Sequence, residues 1–154
     1  MENNKLVEKF YSSFSSGNIE KMTECYHKDI LFHDPVFGTL KGERVLKMWE
    51  MLLNRRTNKT KISFTNIETT MQVGTANWTA KYIYGENNRK VINMVSASFK
   101  FKDGKIIEHI DTFNLWKWTQ QAIGVKGYLI GWPPFMKKKI QKMAKSRLDN
   151  FINK

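Results

Sequence analysis

Ile30-Leu31-Phe32-His33-Asp34-Pro35-Val36-Phe37-Gly38 is the stretch on which the reading of the fold turns. Its apolar run, Ile30 to Val36, predicts a strand that closes in a turn at Gly38. Asp34 stands in front of a proline with Ile30, Leu31, Phe32, Val36 and Phe37 around it. A carboxyl group in apolar surroundings is hard to ionise, and a raised pKa makes it a proton-transfer group near neutrality. Asp-Pro pairs also initiate turns, so the same residue has a purely structural reading.

Working outward, Leu6, Val7, Phe10, Tyr11 and Phe14 recur at three and four residues and predict a helix from Asn4 to Ser16, with Asn3 or Asn4 as N-cap. Gly17-Asn18 ends it, and Asn18 caps a short second helix through Ile19, Met22 and Tyr26. Beyond the turn, Gly42 precedes a third helix striped by Val45, Leu46, Trp49, Leu52 and Leu53. From Lys61 the period becomes two, with Ile62 and Phe64 followed by a parity shift to Ile67, Met71 and Val73 of the kind a bulge leaves. Trp78, Ala80, Tyr82 and Tyr84 form the next strand, and residues 85–88 a turn. Val91 to Lys102 alternates up to Asp103-Gly104, a hairpin signal, and Ile106 to Phe113 is the last strand. Three helices before long antiparallel strands predict an α+β layout, the helices lying on one curved sheet.

The end of the chain differs in character. Leu115 to Ile123 predicts a helix stopped by Gly124, and Gly131-Trp132-Pro133-Pro134 forces a break. From Phe135 a helix resumes, with Met136, Ile140, Met143, Ala144, Leu148, Phe151 and Ile152 on one side and lysines off that stripe. Net charge is +12 over 154 residues, and residues 126–154 carry seven Lys and one Arg against one Asp. Such asymmetry fits weak contact with an anionic membrane through the last helix; a solvated helix face fits it too. Nucleic acid is not expected, because the lysines lie on one helix without a stacking platform. No run approaches the roughly 20 apolar residues that cross a bilayer, and the N-terminus has no apolar segment behind a basic start. The single cysteine, Cys25, excludes an internal disulfide framework and favours a reducing compartment. The expected location is cytoplasmic.

Three segments together resemble the nuclear transport factor 2-like superfamily, and within it the SnoaL-like polyketide cyclases and ketosteroid isomerases. They are Phe10-Tyr11-Ser12 through Gly17-Asn18-Ile19, then Ile30 through Gly38 with Gly42, then Phe99-Lys100-Phe101-Lys102-Asp103-Gly104 on to Phe113. The resemblance spans residues 5–116. It implies a cone-shaped, strongly bent antiparallel sheet with the N-terminal helices packed over it. Residues 1–124 would form this SnoaL-like cone domain, and 125–154 a basic helical C-terminal extension that is not an independent domain. It also implies a homodimer through the outer sheet face. In ketosteroid isomerases the general base lies in an Asp-Pro-Val segment, which Asp34 matches. Their two oxyanion donors fall on Phe10 and Ala97, which cannot donate, so steroid isomerisation by that mechanism is not implied.

SnoaL-like cyclases carry an acid/base aspartate on the last strand near an inward histidine. That resemblance assigns Asp111 as principal acid/base, His109 as its partner and Asp34 as a second carboxylate. Strand alternation puts His109, Asp111 and Phe113 on one face, and Asn93, Val95, Ala97 and Phe99 on one face of the neighbouring strand. Asn93 is then a hydrogen-bond donor to a ligand oxygen. Trp49, Trp78, Tyr82 and Phe99, with His33, are candidate walls of a flat hydrophobic ligand site; ordinary core packing is the other reading of the aromatics. No metal-ligand spacing, phosphate loop or nucleophile elbow is present, so no metal and no cofactor are expected. Two functions remain open. One is a cofactor-independent isomerase, cyclase or lyase acting on a small hydrophobic molecule by Asp/His acid-base chemistry. The other is a non-catalytic binding module for a lipid-like or steroid-like ligand.

Overall fold

α1 (Glu2–Ser16) buries Val7, Phe10, Tyr11 and Phe14, the face its apolar spacing predicts. Neither Asn3 nor Asn4 caps it, because the helix is already formed at Glu2. Asn3 Nδ2 instead donates to the carbonyls of Thr70 at 2.9 Å and Met71 at 3.2 Å. At the C-terminal end the Arg56 guanidinium donates to the carbonyls of Phe14 and Ser15, placing a cation at the negative pole of the helix. α2 (Ile19–Thr23) is capped by Asn18, whose Oδ1 accepts from Lys21 N at 3.0 Å. The structure is a computed structural model of the chain and describes residues 2–124 and 134–154.

Tyr26 does not belong to α2. It opens β1 (Tyr26–Asp34), where it shares the inward face with Ile30 and Phe32. β2 (Gly38–Lys41) is a four-residue strand that the sequence reading passed over. α3 (Glu43–Asn54) buries Val45, Met48, Trp49 and Met51, and leaves Leu46, Leu52 and Leu53 half-buried. β3 (Lys61–Thr69) and β4 (Val73–Tyr84) pair with a register shift between Thr65 and Glu68, and Asn66 has φ 57°. The predicted parity change is therefore a bulge. β5 (Arg89–Lys102) and β6 (Lys105–Thr112) meet at Asp103-Gly104, both at positive φ, as a two-residue hairpin requires.

The sheet order is β2-β1-β6-β5-β4-β3. It corrects one expectation: the sheet is not antiparallel throughout, because β1 and β6 run parallel. Consecutive strands signal hairpins in a sequence, whereas the pairing of the first long strand with the last has no local signal. α1, α3 and the inward strand residues share one core. α4 (Leu115–Ile123) sits on β5 and ends at Gly124.

α5 (Pro134–Ile152) joins the core through Ile140, Ala144 and Leu148. Leu148 is wholly buried, which stabilises by about 2 kcal/mol. Met143 and Ile152, expected on the same stripe, are 46% and 36% exposed. Gln141 Nε2 donates to the Pro35 carbonyl at 3.3 Å. Gly38, at φ 68°, lets this helix close on the turn, since a Cβ there would meet Gln141 Oε1 at 3.1 Å. The expected break at Gly131-Trp132-Pro133 lies outside the described residues. Among the described residues no helix is long and apolar enough to cross a membrane.

Candidate active site

The parallel pairing of β1 with β6 aligns Phe32 with His109 and His33 with Ile110. One step further brings Asp34 level with Asp111, both on the inward face. On the other side of β6, Asp111 faces Ala97 and His109 faces Phe99 across an antiparallel register. Two carboxyl groups and one imidazole are thus brought together by pairings that join residues more than seventy positions apart.

His109 is fully buried and Asp111 is 2% exposed. His109 Nε2 lies 2.8 Å from Asp111 Oδ1, and Trp78 Nε1 donates to the same oxygen at 3.3 Å. On the other side of the ring, Nδ1 lies 2.7 Å from the Tyr26 hydroxyl, which accepts from Trp49 Nε1 at 3.0 Å. The rings of Phe10, Phe32, Trp49 and Phe99 surround the imidazole, with centroids 4.7 to 6.2 Å away. A buried polar chain this well satisfied holds its members rigidly. Burial, reinforced by the Asp111 charge, pushes the Tyr26 hydroxyl well above the usual range.

Asp34 ends β1 as a turn residue. Its Oδ1 accepts from Val36 N at 2.9 Å and Phe37 N at 2.6 Å. The residue as a whole is half-buried. Burial pushes its pKa up to about 7, with the charge of Asp111 adding to the rise and the two backbone donors opposing it. The turn role and a raised pKa therefore coexist in this residue, because one oxygen serves the turn while desolvation acts on the whole group.

The remaining candidates divide. Trp49, Trp78 and Phe99 face the interior beside His109 and Asp111, in ring contact with Phe10, Phe14 and Tyr11. Asn93 faces inward, half-buried and without a hydrogen-bond partner among the described residues. It lies four residues along β5 from Ala97, about 13 Å from the Asp111 level. Tyr82 belongs to a second cluster with Val91 and Trp118, and its hydroxyl accepts from Trp118 Nε1 at 2.8 Å. Burial pushes the Tyr82 pKa up to about 12, with the Asp34 charge among the contributing causes. His33 does not join the group. Alternation turns it to the opposite face of β1, where Nδ1 bonds Thr39 Oγ1 at 2.9 Å. Its pKa is lowered there by burial and by Lys137 and Lys145 of α5.

Two residues were missed by sequence reasoning. The helical spacing puts Tyr26 on the second helix, although its even-numbered spacing from Ile30, Phe32 and Asp34 is equally a strand signal. Tyr11 was read as core. It is fully buried against Phe64, Trp78 and Phe99, yet its hydroxyl is the one buried side-chain polar atom without a partner among the described residues. Burial raises its pKa well above the usual range, and the charge of Asp111 adds to that. Ketosteroid isomerase spacing pointed at Phe10, whereas the hydroxyl stands one residue later.

Among the described residues no three His, Cys, Asp or Glu side chains are grouped to hold a metal ion. Cys25 is buried, with its thiol pKa raised by that burial. A surface hollow of about 500 Å³ lies by Glu68, Thr75, Ser98, Lys100 and Glu108; of the candidate site residues it touches Phe99 alone.

Residues 7–109 match the SnoaL-like domain. No curated protein matches the chain. Among solved structures, TerC co-crystallised with polyporic acid is similar with a TM-score of 0.69 at 15% identity, covering 80% of this chain and 99% of that one. Bal32a, from a soil-derived mobile gene cassette, gives 0.69 at 19% identity over 79% and 96%. An M. tuberculosis LEH-like epoxide hydrolase gives 0.63 at 18% identity over 85% and 97%. At these identities the likeness is one of fold.

Proposed function

The chain belongs to the SnoaL-like domain family, within the nuclear transport factor 2-like superfamily, and on that premise we propose a cofactor-independent acid-base enzyme for a small hydrophobic molecule. The observation that carries this reading is the parallel register of β1 on β6, which sets Asp34 one step past the His33–Ile110 pair and so level with Asp111, in a different environment. Asp111 Oδ1 accepts from Trp78 Nε1 and lies against His109 Nε2. Asp34 is desolvated, with its pKa pushed up to about 7. Carboxyl groups separated in this way can divide the roles, Asp111 as base and Asp34 as acid. The Tyr11 hydroxyl would donate to a ligand oxygen, and Trp49, Trp78 and Phe99 would form the apolar wall. A ligand oxygen there would satisfy the one fully buried side-chain donor that lacks a partner among the described residues. Isomerisation, cyclisation and water addition or loss can each be run by such an acid/base pair. The neighbours are consistent with this range, one being an epoxide hydrolase by description and another holding polyporic acid.

Asp111→Asn tests the proposal. The amide oxygen still accepts from His109 and Trp78, so the fold is expected to persist within about 1 kcal/mol. Turnover of a ligand recovered from the purified protein should fall about 10²–10⁴-fold, the usual contribution of a positioned proton-transfer group. Undiminished turnover would remove Asp111 from the mechanism. A non-catalytic binding module is the second reading, favoured by the internal satisfaction of both His109 nitrogens. A ligand that co-purifies and is released unchanged would support it.

Two assembly features accompany the proposal. A homodimer would cover the outward residues of β5, where Ile92 is 52% and Met94 72% exposed. Contact with an anionic lipid surface would be electrostatic, through Lys138, Lys142 and Lys145 along α5. The apolar side of that helix is engaged by the core through Ile140, Ala144 and Leu148, so insertion is not available to it. Sedimentation with and without anionic vesicles reads both. A monomer mass excludes the dimer, and pelleting that survives high salt excludes the electrostatic contact.

A further inference from the structure

The chain Trp49–Tyr26–His109–Asp111 determines which nitrogen of His109 carries the proton. An indole N–H only donates, so Trp49 Nε1, at 3.0 Å, directs its hydrogen at the Tyr26 oxygen. Tyr26 has one proton left to give, and the group in reach is His109 Nδ1 at 2.7 Å. Nδ1 is then an acceptor, and the ring proton sits on Nε2, pointing at Asp111 Oδ1 at 2.8 Å.

The other arrangements leave a group unsatisfied. A proton on Nδ1 alone would set the Nε2 lone pair against a carboxylate oxygen at 2.8 Å. Protons on both nitrogens would strand the Tyr26 hydrogen among aromatic side chains, since Phe10 lies 5.0 Å from its ring centre and no further acceptor is bonded to it. Buried donors without partners are costly in so apolar a setting.

We propose that Tyr26, itself oriented by Trp49, is a positioning residue that holds His109 in the Nε2–H tautomer and thereby assigns proton exchange with the ligand to Asp111 Oδ2. The inference deepens the acid-base reading above and rests on it for the final clause only. Oδ1 already accepts from His109 and Trp78, and Oδ2 receives no hydrogen bond from any described residue. In the step itself a ligand C–H or O–H bond breaks, its proton passes to Oδ2, and its electron pair stays on the ligand. His109, with both nitrogens engaged inside the protein, orients the base and does not touch the ligand.

The tautomer is read directly by ring-nitrogen NMR on the full chain, assigned with a His109→Asn control, at a pH of about 8, above the ordinary imidazole range. The expected result is a pyridine-like Nδ1 and a pyrrole-like Nε2 with no averaging between them. A protonated Nδ1, or two averaged shifts, overturns the proposal. Tyr26→Phe removes the donor to Nδ1, and the two nitrogen shifts should then move toward each other. Trp49→Phe keeps the hydroxyl but frees its direction, and should produce a smaller movement of the same sign. Unchanged shifts in both variants would give Tyr26 no positioning role. None of these signals depends on turnover, so failure of the acid-base reading and failure of this one are separable. Where turnover is measured, Tyr26→Phe should lower kcat with little change in KM, and an equal rise in KM alone would count against positioning.

Discussion

Asp34→Asn should make the protein more stable at pH 8 and leave it nearly unchanged at pH 4. The folded-state pKa of Asp34 is about 7, against 3.8 for an exposed aspartate. The folded protein therefore holds the Asp34 proton more tightly than the unfolded chain. The stability linked to that proton is fully present below the unfolded value and is lost as pH rises through about 7. At 1.36 kcal/mol per unit, the loss by pH 8 has a ceiling of about 4 kcal/mol. Asparagine keeps an oxygen for the Val36 and Phe37 N–H groups and cannot ionise, so it escapes the loss while preserving the turn. Urea unfolding of both proteins at the two pH values measures this. Parallel pH dependences would mean that solvent reaches the carboxyl and that Asp34 is only a turn residue.

The second large effect belongs to His109→Ala. Removing the imidazole leaves Asp111 with Trp78 as its one bonded donor and leaves the Tyr26 hydroxyl proton without an acceptor, all inside an aromatic cage. Breaking a buried pair by deleting one member costs about 3–5 kcal/mol. For a chain of this size that is a drop in melting temperature on the order of 10 °C. Calorimetry at neutral pH reads it directly. A drop of only a degree or two would show that the network orients groups without holding the fold. Comparing this loss with the near-neutral Asp111→Asn separates structural from chemical roles within one hydrogen-bonded chain.

Both predictions concern residues visible in the sequence, which suggests the raised Asp34 pKa but not the Trp78, Tyr26 and Asp111 contacts on which the His109 effect depends. Asp34, His109 and Asp111 stood out through apolar surroundings, strand parity and family spacing. Asn93 followed from the same parity and faces inward, yet it sits too far along β5 to reach the carboxyl pair. His33, adjacent to Asp34 in sequence, is removed from the site by one step of the pleat. What the Tyr26 and Tyr11 hydroxyls meet has no local mark, because a tyrosine on an inward face has the same pattern whether its hydroxyl is bonded, orphaned or exposed.

Local sequence is enough for the α+β class, the helix stripes of α1 and α3, the bulge in β3, the Asp103-Gly104 hairpin and the inward face of β6. Those features arise from interactions within a few residues: apolar periods, caps, and turn residues that accept positive φ. Folding alone sets β1 parallel to β6, brings Asp34 level with Asp111 one step past the His33–Ile110 pair, and closes a hydrogen-bonded chain from Trp49 and Tyr26 onto His109. It also decides that the apolar stripe of α5 is occupied by the core, leaving the lysines to the surface. The physical reason is common to all of these. Burial and hydrogen-bond direction are set by elements brought together from distant parts of the chain, and periodicity reports which face a residue occupies but not what it meets there.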